Sequence, residues 1–163
     1  MRIWFTACFS ALFFSIASPS AAQQTLQCEV ASVHDGDSIR VRCPGTRGTQ
    51  RVRMNQIDAP ELEQSFGKRA RDRLRELCPP RSPVTIELQG RDQYDRLLGN
   101  VRCGNRNINE EMVAGGYAWV YDQHVKDRKL YSLQDSARRE KKGLWATRDP
   151  QAPWRWRYEQ RQR

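Results

Sequence analysis

The chain has 163 residues, which suits one domain with a real core rather than several. Its 28 Lys and Arg against 19 Asp and Glu leave a formal net charge of +9 and a pI near 9.8, which points to a polyanionic partner such as nucleic acid. Net charge argues about association and not about fold, and a generic basic surface would show the same balance.

The first 22 residues read as a secretory signal. Arg2 supplies a thin positive region, Ile3 to Ala17 is nearly all apolar, and Ser20-Ala21-Ala22 fits a small-residue cleavage site before Gln23. The apolar run is short for a membrane span, which needs about 20 residues. Cys8 lies inside that run, badly placed for a lipid-bearing cysteine at a cleavage point. The expectation is export to the periplasm or medium, with no membrane attachment after cleavage. The domain limits expected are residues 1–22 for the signal, 23–147 for the folded domain and 148–163 for a basic aromatic tail. Cys28, Cys43, Cys78 and Cys103 remain, an even number that suggests two disulfides with three possible connectivities. Zinc fails on spacing, since there is no Cys-x-x-Cys pair and neither His is near a cysteine pair.

Thr25 to Cys43 reads as a β-hairpin around His34-Asp35-Gly36-Asp37, with Asp-Gly as a two-residue turn. Without a bulge, Glu29 faces Arg42, Val30 faces Val41 and Cys28 faces Cys43. This register pairs Cys28 with Cys43 and leaves Cys78 for Cys103. Asp37 then lies on the buried face, at the open end of the core. Arg51 to Ile57 is a third strand, its alternation interrupted by Asn55 and Gln56. Pro60 ends the extended run, because proline fixes its own φ and keeps Ala59 extended. Gln64 to Cys78 is a helix with Phe66, Ala70, Leu74, Leu77 and Cys78 on one stripe. Its other face, with Lys68, Arg69, Arg71, Arg73 and Arg75, reads as solvated. Val84 to Leu88 and Leu97 to Cys103 are two more strands around the polar loop GRDQYDR. Asn109 is expected to cap a short helix ended by Gly115-Gly116. Leu130, Leu133 and Ala137 mark a last helix. The tail from Arg148 shows no apolar periodicity and is expected to be a docked or mobile extension. Five strands and three helices in this order imply an α+β, mainly β fold: a five-stranded barrel of the oligonucleotide-binding (OB) type with three packed α-helices.

Three carboxylates (Asp37, Asp58, Glu61) and two arginines (Arg53, Arg96) stand at strand ends or in adjoining loops. Carboxylates without a nearby His or Cys make a hard oxygen site suited to Ca²⁺ or Mg²⁺. Arginines beside it suit a phosphate, which they grip bidentately. Phosphodiester hydrolysis needs this combination, and surface ion pairing is the plainer explanation of the same residues.

These residues carry a resemblance. HDGDSIRV, RVRMNQIDAPE, DQYDR, INEEMVAGGYAWV and ARREKKGLW, in this order over about Leu26 to Trp145, resemble the staphylococcal nuclease (thermonuclease) family. The resemblance implies a five-stranded barrel nuclease that uses Ca²⁺ on DNA and RNA and leaves a 5′-hydroxyl and a 3′-phosphate. It implies that Asp37, Asp58 and the Ala59 carbonyl bind the metal. Glu61 matches the general base, and Arg53 and Arg96 match the phosphate-binding arginines. Ala59 stands where a threonine is familiar, which a carbonyl ligand tolerates. Asp95 replaces a glycine often found before the second arginine, and Gln134 stands where a helix glutamate is common. Tyr94 and Tyr121 could stack on bases or be buried. The expected substrate is nucleic acid, with no stable protein partner and a monomeric state. A non-catalytic nucleic-acid-binding barrel and a disulfide-stapled envelope module that binds a protein are the rival readings.

Overall fold

The computed structural model describes residues 24–121 and 128–163. The predicted signal segment lies outside them. Strands β1 (Thr25–Val33) and β2 (Ser38–Arg42) form the first hairpin. Glu29 pairs with Arg42 and Val30 with Val41, but the register then shifts to Ser32 with Arg40 and Val33 with Ile39. The extra residue is a β-bulge. It brings both Val30 and Val33 into the core, a spacing that strict alternation cannot supply. The hairpin therefore closes through four residues, with His34 N–H donating to the Ser38 carbonyl at 3.0 Å, rather than through Asp35-Gly36 alone.

Strand β3 (Gln50–Met54) pairs with β2. The single strand expected over 51–57 is broken by a turn at Asn55-Gln56, where Gln56 has φ 65°. Both residues are buried. The Asn55 N–H donates to the Gly99 carbonyl at 2.9 Å, and the Asn55 carbonyl accepts from Asn109 Nδ2 at 2.7 Å. The chain resumes as β4 (Ile57–Asp58), which pairs with a distant strand, Trp119–Val120.

Strands β5 (Pro83–Arg91) and β6 (Leu97–Cys103) follow, then a short β7 (Arg106–Asn107); Trp119–Val120 is β8. The sheet order is β3-β2-β1-β5-β6-β7, and a parallel pairing of β3 with β6 closes the first five strands into a barrel. Among the described residues the α-helices are α1 (Gly67–Leu77), α2 (Ile108–Ala114), α3 (Lys129–Arg139) and α4 (Pro153–Arg161). Helix α1 begins later than its apolar stripe suggests, because residues 61–67 form tight turns, with Gln64 N–H on the Glu61 carbonyl and Gly67 N–H on the Gln64 carbonyl. Asn107, not Asn109, caps α2, its side chain accepting from the Glu110 N–H. Asn109 is drawn into the barrel by the Val101 N–H and the Asn55 carbonyl. The tail, expected as an extension without apolar periodicity, forms helix α4.

Val30, Ile39, Val41, Val52, Met54, Ile86 and Val101 are buried among the barrel strands, and Leu74, Leu77, Met112 and Val113 are buried from α1 and α2. Each such side chain contributes about 1.5–3 kcal/mol when fully buried. Disulfides join Cys28 to Cys43 and Cys78 to Cys103, with Cα separations of 4.3 and 5.7 Å. The first staples the hairpin, and the second ties the end of α1 to β6.

Candidate active site

Asp37, Asp58, Ala59 and Glu61 converge at one rim of the barrel, and two glycines make the convergence possible. A Cβ on Gly36 would lie 2.6 Å from the Ala59 Cβ and 2.7 Å from the Ala70 Cβ. Glycine there lets the turn that bears Asp37 rest directly on the β4 end. A Cβ on Gly67 would collide with the Glu61 carbonyl. Helix α1 thus starts flush against the backbone of Glu61 and fixes where its side chain leaves.

The Ala59 N–H donates to Asp37 Oδ2 at 2.6 Å. Arg53 Nη2 lies 2.9 Å from Asp58 Oδ1 and 3.3 Å from Asp37 Oδ2, so both carboxylates face a single cationic nitrogen. The other end of the same guanidinium donates to the Met54 carbonyl at 2.6 Å and the Ile57 carbonyl at 2.8 Å. Arg53 therefore also ties down the turn between β3 and β4, a structural task absent from its sequence-level role. The Asp58 side chain is only 2% exposed. Burial first, and then the neighbouring Asp37 charge, push its carboxyl above the usual carboxylate range, against the hydrogen bonds and charges of Arg157 and Arg53.

Two residues join this cluster without having been singled out in the sequence. Asp35 accepts from the Asp37 N–H at 3.0 Å and from the Ser38 hydroxyl at 3.1 Å, shaping the turn. Burial and the Asp37 charge push its carboxyl up to about 7. Its signal was available, since Asp two residues before another polar turn residue is a common backbone-binding pattern. Arg157 of α4 had no such signal. Its Nη2 lies 2.8 Å from Asp58 Oδ2, and its Nη1 lies 3.2 Å from Asp58 Oδ1 and 2.8 Å from Glu61 Oε1.

Of the remaining predicted site residues, Arg96 and Tyr94 lie on the loop before β6 and Tyr121 lies beside α4. Arg96 is held by Asp92, whose Oδ2 accepts from Arg96 Nε at 2.7 Å, and its guanidinium sits 5.6 Å from the Tyr94 ring centroid. Tyr94 is 61% exposed on the same loop, and Arg51 anchors that loop to β3 through the Tyr94 carbonyl at 2.7 Å. Asp95 takes φ 57°, the left-handed conformation that a glycine would adopt without strain. Tyr121 is not splayed outward, because its ring lies 5.8 Å from that of Trp154 in α4. Gln134 is buried and accepts from the Val120 N–H at 2.8 Å, holding β8 in place.

Burial works against the Asp92 charge. The Arg96 N–H and side chain and the Tyr94 N–H outweigh it and hold the carboxyl below its ordinary 3.8. A depressed folded-state value means that the contact stabilises the loop above the unfolded pKa and is lost as pH falls through the folded one. Protection of the loop amides, relative to their intrinsic exchange rates, should therefore drop below about pH 4, the region of the unfolded carboxylate. Asp92→Asn should abolish that pH dependence. It should also lower turnover by up to about 10²-fold through a misplaced Arg96. Unchanged turnover in this variant would mean that Arg96 needs no such anchor.

Among the described residues, no group of three or more His, Cys, Asp or Glu side chains forms a ready metal cage. The donor set nevertheless fits a hard cation with an open shell. Two buried carboxylates share a face with a backbone segment, and their charge is offset by arginines that approach as an ion would. A family model described as "Staphylococcal nuclease homologue" matches residues 51–147. The chain belongs to the staphylococcal nuclease family. Its relatives include a protein of Escherichia coli O157:H7 named an uncharacterized endonuclease, 42% identical over 130 residues, covering 79% of this chain and 83% of that one. A micrococcal nuclease of Shigella flexneri is 41% identical over 140 residues, covering 79% of each. A Haemophilus influenzae protein named an uncharacterized endonuclease is 33% identical over 150 residues, covering 92% of this chain and 83% of that one. For this staphylococcal nuclease relative, the family match spans Arg53, Asp58, Glu61 and Arg96 but leaves Asp37 and all of α4 outside it.

Proposed function

We propose that this member of the staphylococcal nuclease family is a Ca²⁺-dependent endonuclease that hydrolyses phosphodiester bonds of DNA and RNA to 5′-hydroxyl and 3′-phosphate ends. The observation that carries this reading is the convergence of Asp37, Asp58 and Glu61 on one rim beside Arg53. Asp37, Asp58 and the Ala59 carbonyl are the groups that would hold the ion. When bound, Ca²⁺ supplies positive charge beside the phosphate oxygens. Glu61, on a rigid backbone seat, takes the proton of the attacking water. Arg53 and Arg96 donate to the phosphate oxygens as their charge grows. Tyr94 offers an exposed ring for a base. The apolar leader and the two disulfides support export, and the basic charge supports a nucleic-acid substrate. The protein acts as a monomer in this reading.

The test is plasmid and RNA cleavage with Ca²⁺, with Mg²⁺ and with chelator. Activity is expected with Ca²⁺ and is expected to vanish with chelator. It should be slight with Mg²⁺, which demands near-octahedral geometry that two carboxylates and a carbonyl do not impose. Asp37→Ala and Asp58→Ala should each remove Ca²⁺-dependent cleavage from a folded protein. Strong cleavage in chelator would overturn the metal role. Nucleic-acid binding with no cleavage under any condition would favour the binding-module reading.

A further inference from the structure

The tail helix α4 docks across the rim at three points. Gln64 Nε2 donates to the Gln151 carbonyl at 2.7 Å, just before the helix. The Trp154 ring lies 5.6 Å from that of Trp119 and 5.8 Å from that of Tyr121. One turn further on, Arg157 takes both oxygens of Asp58 and one of Glu61. These contacts cover a metal carboxylate, the general base and a candidate base-stacking tyrosine together. A guanidinium that grips Asp58 in this bidentate way uses the acceptors that a cation would use, and its charge would repel a divalent ion beside it.

The hold is also thin. Pro153 is the only buried side chain of α4, and Trp154 remains 37% exposed. Elements with little buried apolar surface lie at the low-stability end of a fold and open readily. The other contacts are the Gln64–Gln151 hydrogen bond and the ion pairs of Arg157, and those ion pairs are sensitive to an ion competing for Asp58.

Resting on the nuclease reading above, we propose that α4 is an autoinhibitory plug. Arg157 stands in for the cation at Asp58 and neutralises Glu61, and the site becomes competent when Ca²⁺ takes Asp58 and releases the helix. Coupling of this kind is reciprocal: Ca²⁺ weakens α4 docking by the same factor by which docking weakens Ca²⁺ binding.

The experiment uses the full-length protein and Ca²⁺ alone. Calorimetry measures the Ca²⁺ affinity of the wild type, Arg157→Gln, Trp154→Ala and Asp58→Ala. Hydrogen exchange measures protection of the α4 amides with and without Ca²⁺. Both Arg157→Gln and Trp154→Ala should bind Ca²⁺ about tenfold more tightly or better, because the binding-competent fraction rises. In the wild type, Ca²⁺ should speed exchange in α4. Trp154→Ala separates a plug from a simple charge effect, since Trp154 touches neither carboxylate and its loss moves affinity only by undocking the helix. Wild-type affinity in Trp154→Ala, or α4 amides equally protected with and without Ca²⁺, would overturn the plug while leaving an Asp58-dependent metal site in place. No Ca²⁺ binding by any of the proteins would instead overturn the metal reading and the plug with it.

Discussion

Replacing Glu61 by glutamine should lower turnover about 10²–10⁴-fold, the effect of losing a general base. The fold should be untouched. Glu61 is placed by backbone contacts: its carbonyl accepts from the Gln64 N–H, and Gly67 packs against that same carbonyl. Its carboxylate is about a third exposed (33%), and its one described partner, Arg157, can still donate to an amide oxygen. Single-turnover cleavage of a labelled oligonucleotide, with a thermal melt of the same preparation, separates the two effects. A variant that melts like the wild type and cleaves near its rate would remove Glu61 from the mechanism.

Arg53→Ala and Arg96→Ala should diverge, although sequence assigns the two arginines one role. Each should cut turnover by about 10²–10³, the loss of one oriented charge-stabilising donor. Binding to long DNA should change far less, being spread over many basic residues. Stability is where they part. Arg53 faces Asp37 and Asp58 and holds the Met54 and Ile57 carbonyls, with only 15% of its side chain exposed. Removing one partner of a buried charge cluster costs roughly 3–5 kcal/mol. The lower end, about 3 kcal/mol, applies here, because Arg157 still pairs with Asp58. Arg96 sits on a surface loop against Asp92, and its loss should leave the melt almost unchanged. Denaturant unfolding in chelator, read beside initial rates, makes the comparison. Equal stability of the two variants would show that Arg53 is not the structural keystone its hydrogen bonds indicate. Turnover near wild type in either would contradict its phosphate role.

Much of this molecule was legible in one dimension because the causes are local. Apolar residues at alternate positions in 84–88 and 97–103, and in the two arms of 28–43, dictate strands with one buried face. Pro60 stops the strand that carries Asp58. The near-symmetric hairpin sets Cys28 beside Cys43, and the bulge does not disturb this, since it falls between Val30 and Ser32, beyond that pair. The ordered motifs from His34 to Trp145 were enough to point to the family.

What escaped the sequence depends on partners far along the chain. The β3 extension breaks at Asn55-Gln56 because Asn109 and Gly99, roughly fifty residues later, claim the backbone of Asn55. Asn109 loses the capping role to Asn107 for the same reason. Helix α4 is the largest omission. It has no apolar stripe to betray it, and its order comes from docking Trp154 on Trp119 and Tyr121 and from Arg157 reaching carboxylates 96 and 99 positions earlier. Periodicity registers only a face that a segment buries along its own length. A helix held by one tryptophan set against two rings, one guanidinium and a hydrogen bond just before its start leaves no such pattern, so only the tertiary structure could place it over the site.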